Sequence, residues 1–274
     1  MRKALITSVM VFSLVGCSQT QLLYNNATFF IESKFGGYLD QTPEEKKFFK
    51  KKIKNFINWH RSSMLLTYAE YLDEQIGLLK SKSFGSKQVS VSINGLRQLV
   101  KKTIEGGAPF VAEVLAKQTS QSKLLFLESR LKEDSERDVE KQISIVEEQK
   151  VRRRRVEKNL KSFLGYLNQA QYTIVDYYIS STEKHPSHWV KKNKERRQKL
   201  ITFLKKQPKV DKIKIYLGEI FFERQVDPMV KEWWYHFEGL TSGVFTSLEE
   251  KQVKKLIEVL SGYSSDFRAL AEQD

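Results

Sequence analysis

The chain has 274 residues, 40% of them hydrophobic and 29% charged, and carries a formal net charge of +14. That length is enough to bury a sizeable core. A single cysteine excludes an intrachain disulfide, a thiolate zinc cluster and a Cys-x-x-Cys redox pair, and 5 prolines with 13 glycines exclude a loop-rich or collagen-like chain.

Arg2 and Lys3 precede an apolar run from Ala4 to Leu14. The run is far shorter than the roughly 20 residues a membrane-spanning helix needs, and it has the layout of a secretory signal. Leu14, Val15, Gly16 and Cys17 follow. This tetrapeptide resembles the lipobox of bacterial lipoproteins. The resemblance implies a signal peptide over residues 1–16, cleavage before Cys17 and diacylglycerol on the Cys17 thiol. Ser18 stands where an Asp would imply retention at the inner membrane, so the outer membrane is favoured. The remainder, 17–274, is then expected to be one helical domain tethered at Cys17, its acyl chains holding it at the membrane.

Thr42-Pro43-Glu44-Glu45 reads as a capping box with proline at the first helical position. Phe49, Ile53, Phe56, Ile57, His60, Met64, Tyr68, Leu72 and Leu79 then step by three and four residues, one face of a helix reaching about Leu79. A break falls over Ser81–Ser86. A second helix through Val89, Ile93, Leu96 and Ile104 is expected to stop at Gly106-Gly107, with a short helix from Ala108-Pro109 to Lys117. A long charged helix begins near Ser120, with a break near Gln149, and recovers its apolar face at Val156, Leu160 and Leu167. A short helix holds Ile174 to Ile179, a loop spans Ser180–Ser187, and Trp189–Lys206 is helical. Val210 to Phe221 forms another face, Pro228 opens a segment with Trp233-Trp234, and Gly239–Thr246 reads as a loop. Ser247-Leu248-Glu249-Glu250 reads as a second capping box for a helix that Gly262 ends. The fold class is all-α: an elongated multi-helix bundle of about eight to ten helices, some long.

Three local patterns stand out: Tyr24-Asn25-Asn26, Trp59-His60-Arg61 and Tyr68-Ala69, together with Gly165, Leu167 and Gln171 at a later helix start. In these the chain resembles a family of uncharacterised proteobacterial all-helical lipoproteins. The resemblance implies an envelope location and a helical fold and supplies no mechanism. Thr67 holds a position where similar sequences often carry proline, so the first long helix is expected to run unkinked. Leu167-Asn168-Gln169-Ala170-Gln171 is also similar to the Leu-Thr-x-x-Gln motif of periplasmic helical chaperones and stress sensors, with Asn in place of Thr.

His60 lies on an apolar stripe between Trp59 and Arg61, a setting that suits a catalytic or ligand-binding imidazole and equally a core histidine bonded to a neighbouring helix. Structure comes first in our reading: His60 should point into the bundle, and Arg61 should reach a carboxylate or a helix C-terminus. Glu70, Asp73 and Glu74 read as a solvated face. His185 and His188 flank a proline and make a poor metal site, so no metal, no cofactor and no catalytic residue is assigned. Basic runs are prominent: Lys46–Lys54, then Arg152, Arg153, Arg154 and Arg155, then Lys191–Lys214 with Lys192, Arg196 and Arg197. Export would remove nucleic acid from their reach and leave anionic envelope components or an envelope protein as partners. The leading expectation is a lipid-anchored envelope protein with a structural or protein- or polyanion-binding role. A chaperone-like or stress-sensing helical protein is the alternative, and an envelope polymer hydrolase the second alternative.

Overall fold

A computed structural model describes residues 19–140 and 144–273, and among them the chain is all-α, with eleven helices. They are α1 (Gln19–Asn25), α2 (Ala27–Gly36), α3 (Pro43–Lys80), α4 (Ser86–Ala116), α5 (Gln121–Glu140), α6 (Ile145–Leu164), α7 (Gln169–Ser181), α8 (His185–Leu204), α9 (Val210–Val226), α10 (Pro228–Thr246) and α11 (Glu250–Ala271). The count exceeds the eight to ten expected from periodicity because α1 and α2 are too short for a stripe to reveal them. No described helix is long and apolar enough to cross a membrane.

The helix starts follow from capping chemistry. Thr42 accepts from the Glu45 backbone N–H, the Glu45 carboxylate accepts from the Thr42 N–H, and α3 then runs unbroken for 38 residues. Asn168 and Gln171 form the same reciprocal pair before α7. The box expected at Ser247–Glu250 lies two residues later: Glu249 caps α11 with Gln252, and Ser247 instead ends α10.

The helix stops expected at glycine are overturned. Helix α4 runs straight through Gly106-Gly107 and Pro109, α10 through Gly239 and Gly243, and α11 through Gly262. A Cβ on Gly106 would sit 1.9 Å from Cζ2 of Trp59, one on Gly107 3.1 Å from Phe56, and one on Gly243 3.1 Å from Ile174. These three glycines let large side chains lie against helix backbone; they do not end helices. Gly165 does behave as a stop, with φ at +83° and its N–H on the Lys161 carbonyl at the end of α6. The Gln149 break is also displaced, since α6 already begins at Ile145. The Ser180–Ser187 loop shrinks because Pro186 sits in the first turn of α8, where its missing N–H costs nothing.

Three apolar clusters fill the bundle. Leu79, Leu164, Val175, Ile179, Val244 and Leu256 join α3, α6, α7, α10 and α11. Ala112, Leu124, Leu127, Ile201, Leu204 and Ile213 join α4, α5, α8 and α9. Phe49, Ile53 and Ile57 of α3 carry Tyr24, Ala27 and Ile31 of α1 and α2. Helix α11 lies along α3, where fully buried Ala69 allows Ser264 to reach the Ala69 carbonyl. Asp73 is not part of a merely solvated face: it accepts from Ser264 at 2.7 Å and pairs with Arg268 at 2.6 Å, and these two bonds, Ser264 first, hold its carboxyl below the usual range.

Candidate functional site: a tyrosine–histidine chain beside an apolar cleft

The two tripeptides singled out by sequence, 33 or more residues apart in the chain, meet in space. Tyr24 of α1 places its hydroxyl 2.9 Å from Nδ1 of His60, with the rings stacked at 5.8 Å. Asn25 accepts through Oδ1 from Nη2 of Arg61 at 3.1 Å, and the guanidinium lies over the Tyr24 ring. Asn26 turns back on its own helix and donates to the Leu22 carbonyl, closing the α1–α2 corner. Nη1 of Arg61 donates to the carbonyl of Gln273, just beyond the end of α11. One segment of α3 therefore ties down both the first helix and the last residues of the chain.

On its other side, Nε2 of His60 lies 3.2 Å from the Tyr68 hydroxyl, which bonds Thr103 Oγ1 of α4, which in turn bonds the Leu99 carbonyl at 2.9 Å. The direction of this chain follows from its end. A carbonyl only accepts, so Thr103 donates to it, Tyr68 donates to Thr103, and His60 must donate through Nε2. In the neutral imidazole Nδ1 is then the acceptor for Tyr24, whose one proton faces both Nδ1 at 2.9 Å and, at a longer 3.4 Å, the Ile57 carbonyl. This consistent arrangement needs a neutral imidazole, and burial does hold the His60 pKa below its usual value. Burial also pushes the Tyr24 phenol up to about 12, against the opposing pull of Arg61, and raises Tyr68. Both nitrogens of His60 meet tyrosine hydroxyls; neither meets a carboxylate. Trp59 covers the group through Phe56 and Phe110 and seats on Gly106.

Phe56, Thr103 and Gly107 have a second face, on a cleft of about 660 Å³. Its walls come from α2 (Ile31, Phe35), α3 (Phe49, Ile53), α4 (Ile104, Val111), α5 (Leu127, Leu131) and α9 (Leu217). The polar residues on the walls are Tyr38, Thr103 and Lys52. Sequence reading passed over this site. Its one early signal was the run Gly106-Gly107-Ala108, whose small side chains leave the space.

A third constellation joins two helix starts. The side-chain amides of Gln171 and Gln252, both 0% exposed, donate to each other at 2.9 Å in both directions. Gln252 also donates to the Tyr166 carbonyl, and Gln171 to that of Ser247. Leu248-Glu249-x-x-Gln252 thus repeats Leu167-Asn168-x-x-Gln171 and packs against it, two residues beyond the Ser247–Glu250 start expected from sequence.

The basic runs are divided by their neighbours. Arg152 donates to the Thr182 carbonyl and pairs with Glu148, Arg153 pairs with Glu157 and Asp176, Lys192 with Glu195, and Arg197 with Asp138. Arg196 reaches Asn193, while Arg154, Arg155 and Lys191 are exposed. His185 faces the Met229 carbonyl and His188 the Asp227 carboxylate, so the two imidazoles address different groups at the start of α10. Leu14, Val15, Gly16 and Cys17 lie outside the described residues.

The sequence model of a family of unknown function matches residues 37–219, about two thirds of the chain. That span includes Trp59-His60-Arg61, Gly106-Gly107 and most of the cleft; it leaves out Tyr24-Asn25-Asn26 and α11. No curated protein and no solved structure matches the chain significantly.

Proposed function

The chain belongs to DUF6279, a family of unknown function, and we propose that it is a lipid-anchored protein of the bacterial cell envelope that works by binding rather than by catalysis. Acylated Cys17 holds it to the membrane, the outer membrane in preference to the inner, and the body faces the periplasm. One observation carries this reading. The two short helices that follow the lipobox expose Leu22, Leu23, Phe29 and Phe30, with Phe29 66% exposed. Large apolar side chains exposed five to thirteen residues after an acylation site suit contact with the bilayer. A structural role for the Tyr24–His60–Tyr68–Thr103 chain is supported by its partners, since each polar group ends on another protein group. Outward-facing Arg154, Arg155 and Lys191 suit an anionic envelope component or an envelope protein as partner. The test is metabolic labelling with radioactive palmitate together with membrane fractionation. The wild type should carry label and sediment with membranes, and Cys17→Ala should lose both. Label retained by the variant would sink the reading.

A second reading, a chaperone-like or stress-sensing protein, has the paired caps of Gln171 and Gln252 in its favour. Suppression of aggregation of a thermally unfolded client by the purified protein would support it. Aggregation at the client's own rate would end it.

A further inference from the structure

We infer that the cleft between α2, α3, α4, α5 and α9 is a binding site for a single long acyl chain bearing one anionic head group. The volume of about 660 Å³ falls within the range of roughly 300–1,000 Å³ typical of small-ligand sites. The walls decide the class of ligand. Tyr38 donates its hydroxyl to Asp134, and Thr103 bonds both Tyr68 and the Leu99 carbonyl. Both polar groups on the walls, Lys52 aside, are therefore already engaged within the protein. An extended peptide lying here would bury backbone N–H and C=O groups without partners, at about 1–3 kcal/mol each, and a sugar would fare worse. An acyl chain has no polar group along its length and loses nothing.

The charge at one side of the cleft completes the argument. Lys52 and Lys117 both lie over the Phe48 ring, at 5.2 and 4.8 Å. Lys52 pairs with Glu113, and Lys123 pairs with Glu45, the residue whose carboxyl also feels Lys117. Among the described residues Lys52 is the one charged side chain on the walls, and Lys117 stands with it about the Phe48 ring, so an anionic head group, a carboxylate or a phosphate, suits this corner of the cleft. The site is separate from lipidation of Cys17. The proposed envelope location explains only where such a ligand would come from: α2 supplies Ile31 and Phe35 to the cleft and exposes Phe29 and Phe30 beside it.

The experiment uses the full chain carrying Cys17→Ser, so that no lipid of its own competes and a failure of anchoring leaves the measurement intact. The probe is a fluorescent fatty acid, 11-dansylundecanoic acid, titrated against the protein. Saturable one-to-one binding is expected. Val111→Trp, a half-exposed wall position, should weaken it by about tenfold or more while leaving the circular-dichroism melt unchanged; Ile104→Trp serves the same end should the first variant fold poorly. Lys52→Gln should weaken the carboxylate probe and leave a neutral dansyl alcohol of equal length unaffected. Displacement by palmitate or by lysophosphatidate supports the site and tells a free fatty acid from a phospholipid source. Absence of saturable binding, binding untouched in both tryptophan variants, equal loss of acid and alcohol in Lys52→Gln, or displacement by an amphipathic helical peptide at matched concentration would each overturn the inference.

Discussion

Where α7 and α11 begin, two polar side chains are wholly buried, and each amide satisfies the other. Around the middle of α3 the arrangement is the reverse: a chain of hydroxyls and one imidazole is only half-buried, and a cleft opens beside it. Both regions solve the same problem, placing polar groups among packed helices, and they solve it for different ends. Mutual pairing at Gln171 and Gln252 closes every bond and leaves no room. The linear chain from Tyr24 to Leu99 brings only Thr103 to the cleft, whose walls are otherwise apolar apart from Tyr38 and Lys52. The first region is built for rigidity, the second for access.

The contrast breaks most directly at Gln171. Replacement by Leu leaves the Gln252 amide without its partner and removes the acceptor for the Asn168 N–H, so the melt should show a loss of about 3 kcal/mol. A loss below about 1 kcal/mol would erase the distinction between the two regions. Gly106→Ala comes next. The new Cβ meets Trp59, and overpacking of this kind costs about 1–3 kcal/mol, more than the roughly 1 kcal/mol of helix propensity it gains. Gly262→Ala, with nothing within 4 Å, should instead stabilise. The opposite signs of two chemically identical changes are the measurement.

His60 gives a pH dependence. Burial holds its folded pKa below 6.5, so between that lowered value and 6.5 the unfolded chain binds a proton that the native state does not. Stability should therefore fall as pH drops from about 6.5 toward the folded value. Urea titrations at pH 7.5 and 5.5 should show a smaller difference for His60→Gln than for the wild type. The smallest effect lies in the basic run. Arg152 holds the corner after α7 through the Thr182 carbonyl, and Arg152→Ala should lower Tm by a few degrees. Arg155→Ala, on an exposed position, should not shift it measurably.

Much of the fold could be read from local pattern. The α3 stripe and the Thr42–Glu45 box give a 38-residue helix with the right start, and Asn168–Gln171 gives the start of α7. Of the site, the tripeptides Tyr24-Asn25-Asn26 and Trp59-His60-Arg61 were visible as patterns and His60 as an oddity on an apolar face. That they touch was not visible, because nothing local ties residue 24 to residue 60. Thr103 carried no signal, and the cleft is a space between five helices that no single stripe describes.

Capping and periodicity act within four residues of chain, which is why the amino-acid sequence by itself determined the all-α class, most helix starts and the apolar faces. Glycine is different. Locally it weakens a helix, and on that ground Gly106, Gly107, Gly239, Gly243 and Gly262 all read as stops or loop residues. Tertiary structure decided otherwise, since burial of Trp59, Phe56 and Ile174 against the bare backbone at Gly106, Gly107 and Gly243 outweighs a penalty of about 1 kcal/mol per glycine. The helices persist through Gly106, Gly107 and Gly243 because the packing that rewards the missing side chain comes from residues 47 to 69 positions away in the chain.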